Sequence, residues 1–181
     1  GQKSVLNALS ENGYAEVAYK LASQETFPSW GWWMVNGATS LLENWDIHAQ
    51  NDISMNHIMF GEIGAWLYKG LGGIFPDAKQ PGFKKVLLKP SFVSSLNGLD
   101  VSHQSPYGKI RSAWVQQKKT ILYTVTIPPN SSADLYLPVG FAIKKVSDAI
   151  TGGQLELIAS PNHCYPLEAG SYQIELIKQT R

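Results

Sequence analysis

One cysteine, Cys164, is the whole thiol content of the chain, so no internal disulfide forms and no Cys/His metal spacing exists. The redox compartment stays undecided, and an inert, partly buried thiol is the plain reading of that residue. Charge is scarce and balanced, with 15 basic against 14 acidic residues, a net charge of +1 and 16% charged residues overall. No Lys/Arg stripe is present to release phosphate counterions, so nucleic acid is not an expected partner. No apolar run reaches the roughly eighteen residues of a membrane helix, so no membrane span is expected. The opening GQKSVLNALSENGYAEV lacks the basic-then-apolar layout of a signal peptide. An initiator Met is missing too: Gly1 leads at once into a helical pattern. The expectation is a fragment or processed form whose N-terminus lies upstream, which leaves periplasmic, secreted and cytoplasmic locations all open. Internal repeats and low-complexity tracts are absent.

What is present is a globular chain of 181 residues, 44% apolar, long enough for one good-sized core or two small ones. Its halves differ in period. Residues 3–23 carry Val5, Leu6 and Leu9, a break at Asn12-Gly13, then Tyr14, Val17, Ala18 and Leu21 at helical spacing, which predicts a helical hairpin. Met34, Val35, Ala38, Leu41, Leu42 and Trp45 form an apolar stripe that predicts a helix over about 33–45. Phe60, Ile63, Leu67 and Leu71 predict another from Asn56 or His57 to about Leu71, stopped by Gly72-Gly73. Beyond Pro76 the punctuation changes to PDAKQPGF, and short alternating runs follow: KKVLLKP, KIRSAWVQ, TILYTVTIP, ADLYLP, AIKKVS and YQIELI. These are strand-length and rich in Val, Ile, Leu and Tyr, which predicts an antiparallel β-sandwich. The fold class is therefore α+β in two parts, helices over 1–76 and a sandwich over 77–181. In TILYTVTIP, Ile121, Tyr123, Val125 and Ile127 are the expected core face. The second half shows no acid pair, phosphate loop or metal constellation, and is expected to be structural or carbohydrate-adjacent.

Chemistry concentrates in the first half. FPSWGWW holds three tryptophans in four positions. On the expected 33–45 helix, Glu43 shares the polar face with Asn36, Thr39 and Ser40. Such a Glu has an ordinary explanation as a solvated surface charge. Against it stands the company at the helix ends: Trp30, Trp32 and Trp33 before, and SMNHIMFG after. Indoles suit the C–H faces of pyranose rings, yet aromatic clusters also build cores, and Trp45 in particular reads as core. His57 has two readings, a first-turn residue with a backbone partner behind a Ser54 or Asn56 cap, or a donor and acceptor aimed at a ligand. His48, His103 and His163 read as surface residues, and Asp46, Asp52 and Glu62 as local caps or surface charges.

Together PSWGWWMVNGATSLLENWD, SMNHIMFGEIGAWLYKGLGGI and PGFKKVLLKP resemble the C-terminal part of the inverting bacterial α-L-rhamnosidases, with PYGKIRSAW and IPPNSSADLYLP extending the likeness through the second half. The resemblance implies helices from the end of an (α/α)6 barrel followed by a β-sandwich, and a substrate that is a rhamnose-containing oligosaccharide or glycoside. It implies no cofactor and no metal. The family's general base sits in the motif that here reads ATSLLENW, which maps to Glu43. The sugar-contacting histidine maps to His57, with Trp30 and Asn56 as further pocket residues. The Leu41-Leu42 pair departs from the family's frequent aromatic before the Glu. The general acid comes from barrel sequence upstream of Gly1, so the expectations are an inactive isolated chain, a partner in the missing N-terminal part, and self-association through exposed helix faces. The alternatives are another (α/α)-barrel glycosidase, or a non-catalytic carbohydrate-binding or structural module.

Overall fold

The computed structural model describes residues 4–48 and 54–179. The chain divides into two compact units, Gly1–Gly70 and Leu71–Arg181. None of the helices among the described residues is long and apolar enough to cross a membrane.

In the first unit, α1 (Val5–Glu11) and α2 (Ala15–Ser23) form the expected hairpin. It turns where Gly13 takes a φ of +83°, a conformation that costs a residue without Cβ little. The buried face of α2 is Ala18 and Ala22, while Tyr14 and Val17 stay exposed. α3 (Trp30–Val35) starts at Ser29, whose buried hydroxyl accepts from the Trp32 N–H at 2.9 Å and donates to the Gln24 carbonyl. That side chain satisfies one of the orphan donors of the first turn.

The expected 33–45 helix ends instead at Val35. Ala38 N–H donates back to Trp33 O at 2.9 Å and Gly37 N–H to Met34 O at 3.1 Å, with Gly37 at φ +83°. This pair of bonds is a Schellman stop with glycine in the left-handed position. The apolar period that continues to Trp45 therefore belongs to an irregular segment, and Glu43 does not lie on a helix face with Asn36, Thr39 and Ser40. The expected 57–71 helix is likewise segmented, into a 3-10 turn (Ile58–Phe60), α4 (Glu62–Trp66) and a π turn (Leu67–Leu71). Glu62 is tied to α1 by the Asn7 carboxamide at 2.6 Å, and Trp66 N–H donates to Ser10 Oγ at 2.8 Å.

The second unit begins with a strand, β1 (Ile74–Pro76), antiparallel to β2 (Lys85–Leu88). The division therefore falls before these three residues, ahead of the Pro76 punctuation. The remaining strands are β3 (Gly98–Ser105), β4 (Gly108–Gln116), β5 (Thr120–Ile127), β6 (Ser132–Leu135), β7 (Phe141–Asp148), β8 (Gln154–Leu155), β9 (Tyr165–Leu167) and β10 (Gly170–Lys178). They make a four-stranded sheet in the order β1-β2-β6-β9 and a six-stranded sheet in the order β3-β4-β5-β10-β7-β8. Pairing is antiparallel except between β2 and β6. One core joins the sheets face to face: Val86, Leu88 and Leu135 from the smaller, with Ile110, Trp114, Val125 and Ile174 from the larger. Ile121, Tyr123, Val125 and Ile127 are all buried, alternating with less buried neighbours, the period of a half-covered strand.

At the centre of this core Ser112 Oγ donates to Gly72 O at 2.6 Å and lies 3.0 Å from Tyr123 Oη. The Ser112 proton being committed to Gly72, the phenol is the donor of the second bond. Burial pushes the Tyr123 hydroxyl well above its ordinary value near 10. In the unfolded chain that phenol ionises as pH passes about 10, whereas in the fold it stays neutral, so the unfolded state gains stability there. The second unit is expected to lose thermal stability from about pH 10 upward. Melting curves from pH 8 to 11.5 check this: Tyr123→Phe should flatten the fall, and an unchanged slope would count against it.

Candidate active site

The irregular segment after α3 is held by backbone rather than by helix. Residues 40–43 run antiparallel to residues 54–57: His57 N–H donates to Leu41 O at 2.7 Å and Glu43 N–H to Ser54 O at 3.0 Å. Ser40 Oγ adds a bond to Met55 O. Within this pairing the Ser54 N–H donates to Glu43 Oε2 at 2.8 Å. The carboxylate thus receives a peptide donor from the segment that also carries His57. A charge-assisted bond of this kind fixes the direction in which the carboxylate points.

His57 precedes the 3-10 turn and caps it, its Nδ1 accepting from Met59 N–H at 2.9 Å. A ring nitrogen that accepts carries no proton, so the ring's N–H is at Nε2. The backbone-cap reading of His57 is met at Nδ1, and Nε2 is the ring atom that the cap does not use. Asn56 is exposed, with its backbone N–H on Ser54 Oγ at 3.2 Å.

Behind these segments stands an aromatic block. Trp30, Trp33, Trp45 and Phe60 meet with ring centroids 4.2 to 6.0 Å apart. Trp33 N–H donates to Trp45 O at 2.8 Å and Trp30 N–H to Phe60 O at 3.2 Å. Two indoles of α3 thereby pin the chain two residues after Glu43 and three after His57. Trp30 is only 6% exposed, so it braces the site through packing and offers little ring face to a ligand. Trp32 lies apart, edge-on to Phe27. Gly31 lets α3 lie close against the end of α2, because a Cβ there would sit 2.5 Å from Gln24 O and 2.6 Å from Ser23 O.

The structure thus brings Glu43, His57 and the Asn56 backbone onto paired segments, with Trp30 behind them. Asp46 caps locally, accepting from His48 N–H at 2.8 Å, and Asp52 lies outside the described residues. Sequence reasoning took Ser54 only as a possible cap before His57 and missed its bond to Glu43, which is made by a peptide N–H and so leaves no trace in residue type. In the second unit, an open cleft over Gly98, Ala113, Leu122 and Thr124 is edged by Arg111 and Asp100. These two satisfy each other in a bidentate pair at 2.7 and 2.9 Å.

A glutamate and a histidine thus stand on paired segments, with tryptophans packed against the chain that follows each. Residues 1–71 fit the bacterial alpha-L-rhamnosidase 6 hairpin glycosidase domain, and residues 73–149 fit the bacterial alpha-L-rhamnosidase C-terminal domain. The chain belongs to the bacterial α-L-rhamnosidase family. Its likeness is to the C-terminal portion of rhamnosidases. An alpha-L-rhamnosidase of Alteromonas sp. is 32% identical over 184 residues, 98% of this chain and 19% of that protein. One from Streptomyces avermitilis is 30% identical over 145 residues, 76% of this chain and 14% of its own length. The chain therefore spans about a fifth or less of the rhamnosidases it matches. Among solved structures, the alpha-L-rhamnosidase from Dictyoglumus thermophilum has a TM-score of 0.80 and 27% identity, covering 98% of this chain and 20% of that one. The S. avermitilis rhamnosidase complexed with L-rhamnose has a TM-score of 0.78 and 25% identity, over 98% and 17% of the two chains.

Proposed function

We propose that this chain supplies the end of the catalytic barrel and the following β-sandwich of a glycoside hydrolase that releases terminal α-L-rhamnose with inversion. The observation that carries the reading is the Ser54 N–H bond to Glu43 Oε2, which ties the family's expected base to the segment that carries His57. Glu43 is the general base: ionised, and held through one oxygen, it takes a proton from the water that attacks the anomeric carbon. His57, through Nε2–H, and Asn56 are the sugar contacts, and Trp30 is the wall behind them. By the family reading the general acid comes from barrel sequence outside this chain. Inversion requires the two carboxyl groups about 6.5 to 9.5 Å apart, leaving room for the water. The domain limits follow the same reading, with the barrel helices ending at Leu71 and the sandwich part taking in β1 from Ile74, ahead of the limit at residues 76 and 77 expected from the sequence.

The test is the anomer first released. The complete protein acting on an aryl α-L-rhamnoside, followed by proton NMR, should form the β-sugar first. Initial release of the α-sugar would overturn inversion, and preference for another glycoside would overturn the sugar. The 181-residue chain alone should show no turnover, because a base without its acid and without a complete pocket loses both proton transfer and orientation. Measurable turnover by that chain would put the acid within it.

Several large apolar side chains of the first unit are open to solvent, including Met34 at 77% and Ile58 at 80%, with Tyr14, Val17 and Val35. Apolar surface of this extent is normally covered. In the complete enzyme we assign its cover to the other barrel helices, and in the isolated chain to a second copy. Light scattering of the isolated chain should show mass rising with concentration, and a constant monomer mass up to millimolar concentration would refute this.

A further inference from the structure

Two consecutive carbonyls of the His57 segment are held from the Glu43 segment by unlike donors. Ser54 O receives the Glu43 backbone N–H at 3.0 Å, whereas Met55 O receives a side chain, the Ser40 hydroxyl. Among these cross-segment bonds, that of Ser40 Oγ is the one whose donor is a side chain, so it can be removed without altering the backbone. It lies three residues before the carboxylate on the sequence and faces the residue adjacent to Ser54, the carboxylate's own donor. We propose that Ser40 is a positioning residue for Glu43: its hydroxyl docks Met55 and so keeps the Ser54 N–H on Glu43 Oε2. The inference rests on the reading of Glu43 as general base.

The physical case is one of direction rather than affinity. The paired segments belong to no helix or sheet, so each cross-bond contributes a large share of the local rigidity. A peptide N–H holds a carboxylate only while the peptide stays in place, and displacement of a reacting group by about 1 Å can cost on the order of 100-fold in rate. Loss of the Ser40 bond leaves Glu43 N–H and His57 N–H still paired, so the segments should loosen without separating. The expected signature is a fall in kcat with KM nearly unchanged, since the sugar contacts remain.

The experiment uses the complete enzyme and an aryl α-L-rhamnoside. Ser40→Ala should lower kcat about tenfold with KM within about twofold. Ser40→Thr and Ser40→Val, near-isosteres differing in the hydroxyl, keep the question answerable even where the alanine variant folds poorly. The Thr variant should exceed the Val variant in kcat by about tenfold at equal melting temperature. In a Glu43→Gln background that ratio should collapse to about one, because the hydroxyl acts through the carboxylate. Equal kcat for the Thr and Val variants, a difference confined to KM, or a ratio that survives in the Glu43→Gln background would each overturn the proposal. These outcomes are separable from failure of the underlying reading, which would appear as Glu43→Gln retaining its kcat on its own.

Discussion

Replacing Glu43 by Gln in the complete enzyme is expected to lower kcat by roughly 100- to 10,000-fold, the usual contribution of a positioned base. KM for an aryl α-L-rhamnoside should stay within about threefold. Glutamine is nearly isosteric, and its carbonyl oxygen accepts the Ser54 N–H that Oε2 accepts now at 2.8 Å. The paired segments and His57 should therefore keep their places. What glutamine cannot do is take a proton from water, so the loss should fall on the chemical step alone. Steady-state kinetics with a melting curve on each protein read both quantities. A kcat within about threefold of wild type at an unchanged melting temperature would move the base to another residue.

Trp33→Ala should destabilise the first unit by about 3 to 5 kcal/mol, the range for deleting a large aromatic from a packed interior. Trp33 is 2% exposed, its ring meets Trp45 at 4.7 Å and Phe60 at 5.1 Å, and its N–H reaches Trp45 O at 2.8 Å. The substitution removes all three at once and leaves the Trp45 carbonyl without its donor. Trp33→Phe keeps most of the apolar contact and should cost less, about 1 to 2 kcal/mol for the lost bond and volume. Urea unfolding of the complete enzyme, followed by fluorescence and hydrogen exchange of residues 30–48, separates the first unit's transition from the sandwich's. A Trp33→Ala cost below about 1 kcal/mol would mean that the block contributes little to folding.

The sandwich was legible in the sequence because a half-covered strand writes its burial in residue type. TILYTVTI alternates, and Ile121, Tyr123, Val125 and Ile127 are buried as that alternation implies. The strand β3 left a weak signal, since GLDVSHQS is made largely of residues with poor strand propensity. β1 is three residues long, too short for any period to declare itself. The misread helix over 33–45 is more instructive. Its apolar spacing was real, but Asn36-Gly37 makes a local bond pattern that outweighs spacing. The likeness of ATSLLENW and SMNHIMFG to family motifs pointed to Glu43 and His57. Their mutual placement was not legible, because backbone groups make the cross-bonds at Leu41, Glu43, Ser54 and His57.

The stop at Gly37 has a consequence for how freely the site tolerates sequence drift. A carboxylate presented from a helix would depend on side-chain packing along a whole face. Here its partner is a main-chain donor, which every residue except proline supplies. Position 54 can therefore exchange its side chain while keeping the bond, and proline is the one substitution that deletes it outright. The exposed side chain of Met55, whose part in the pairing is a backbone carbonyl, is in the same way free to change. A library varied at 54 and 55 should retain hydrolysis in many members, so that the surroundings of the carboxylate can drift while its donor stays fixed.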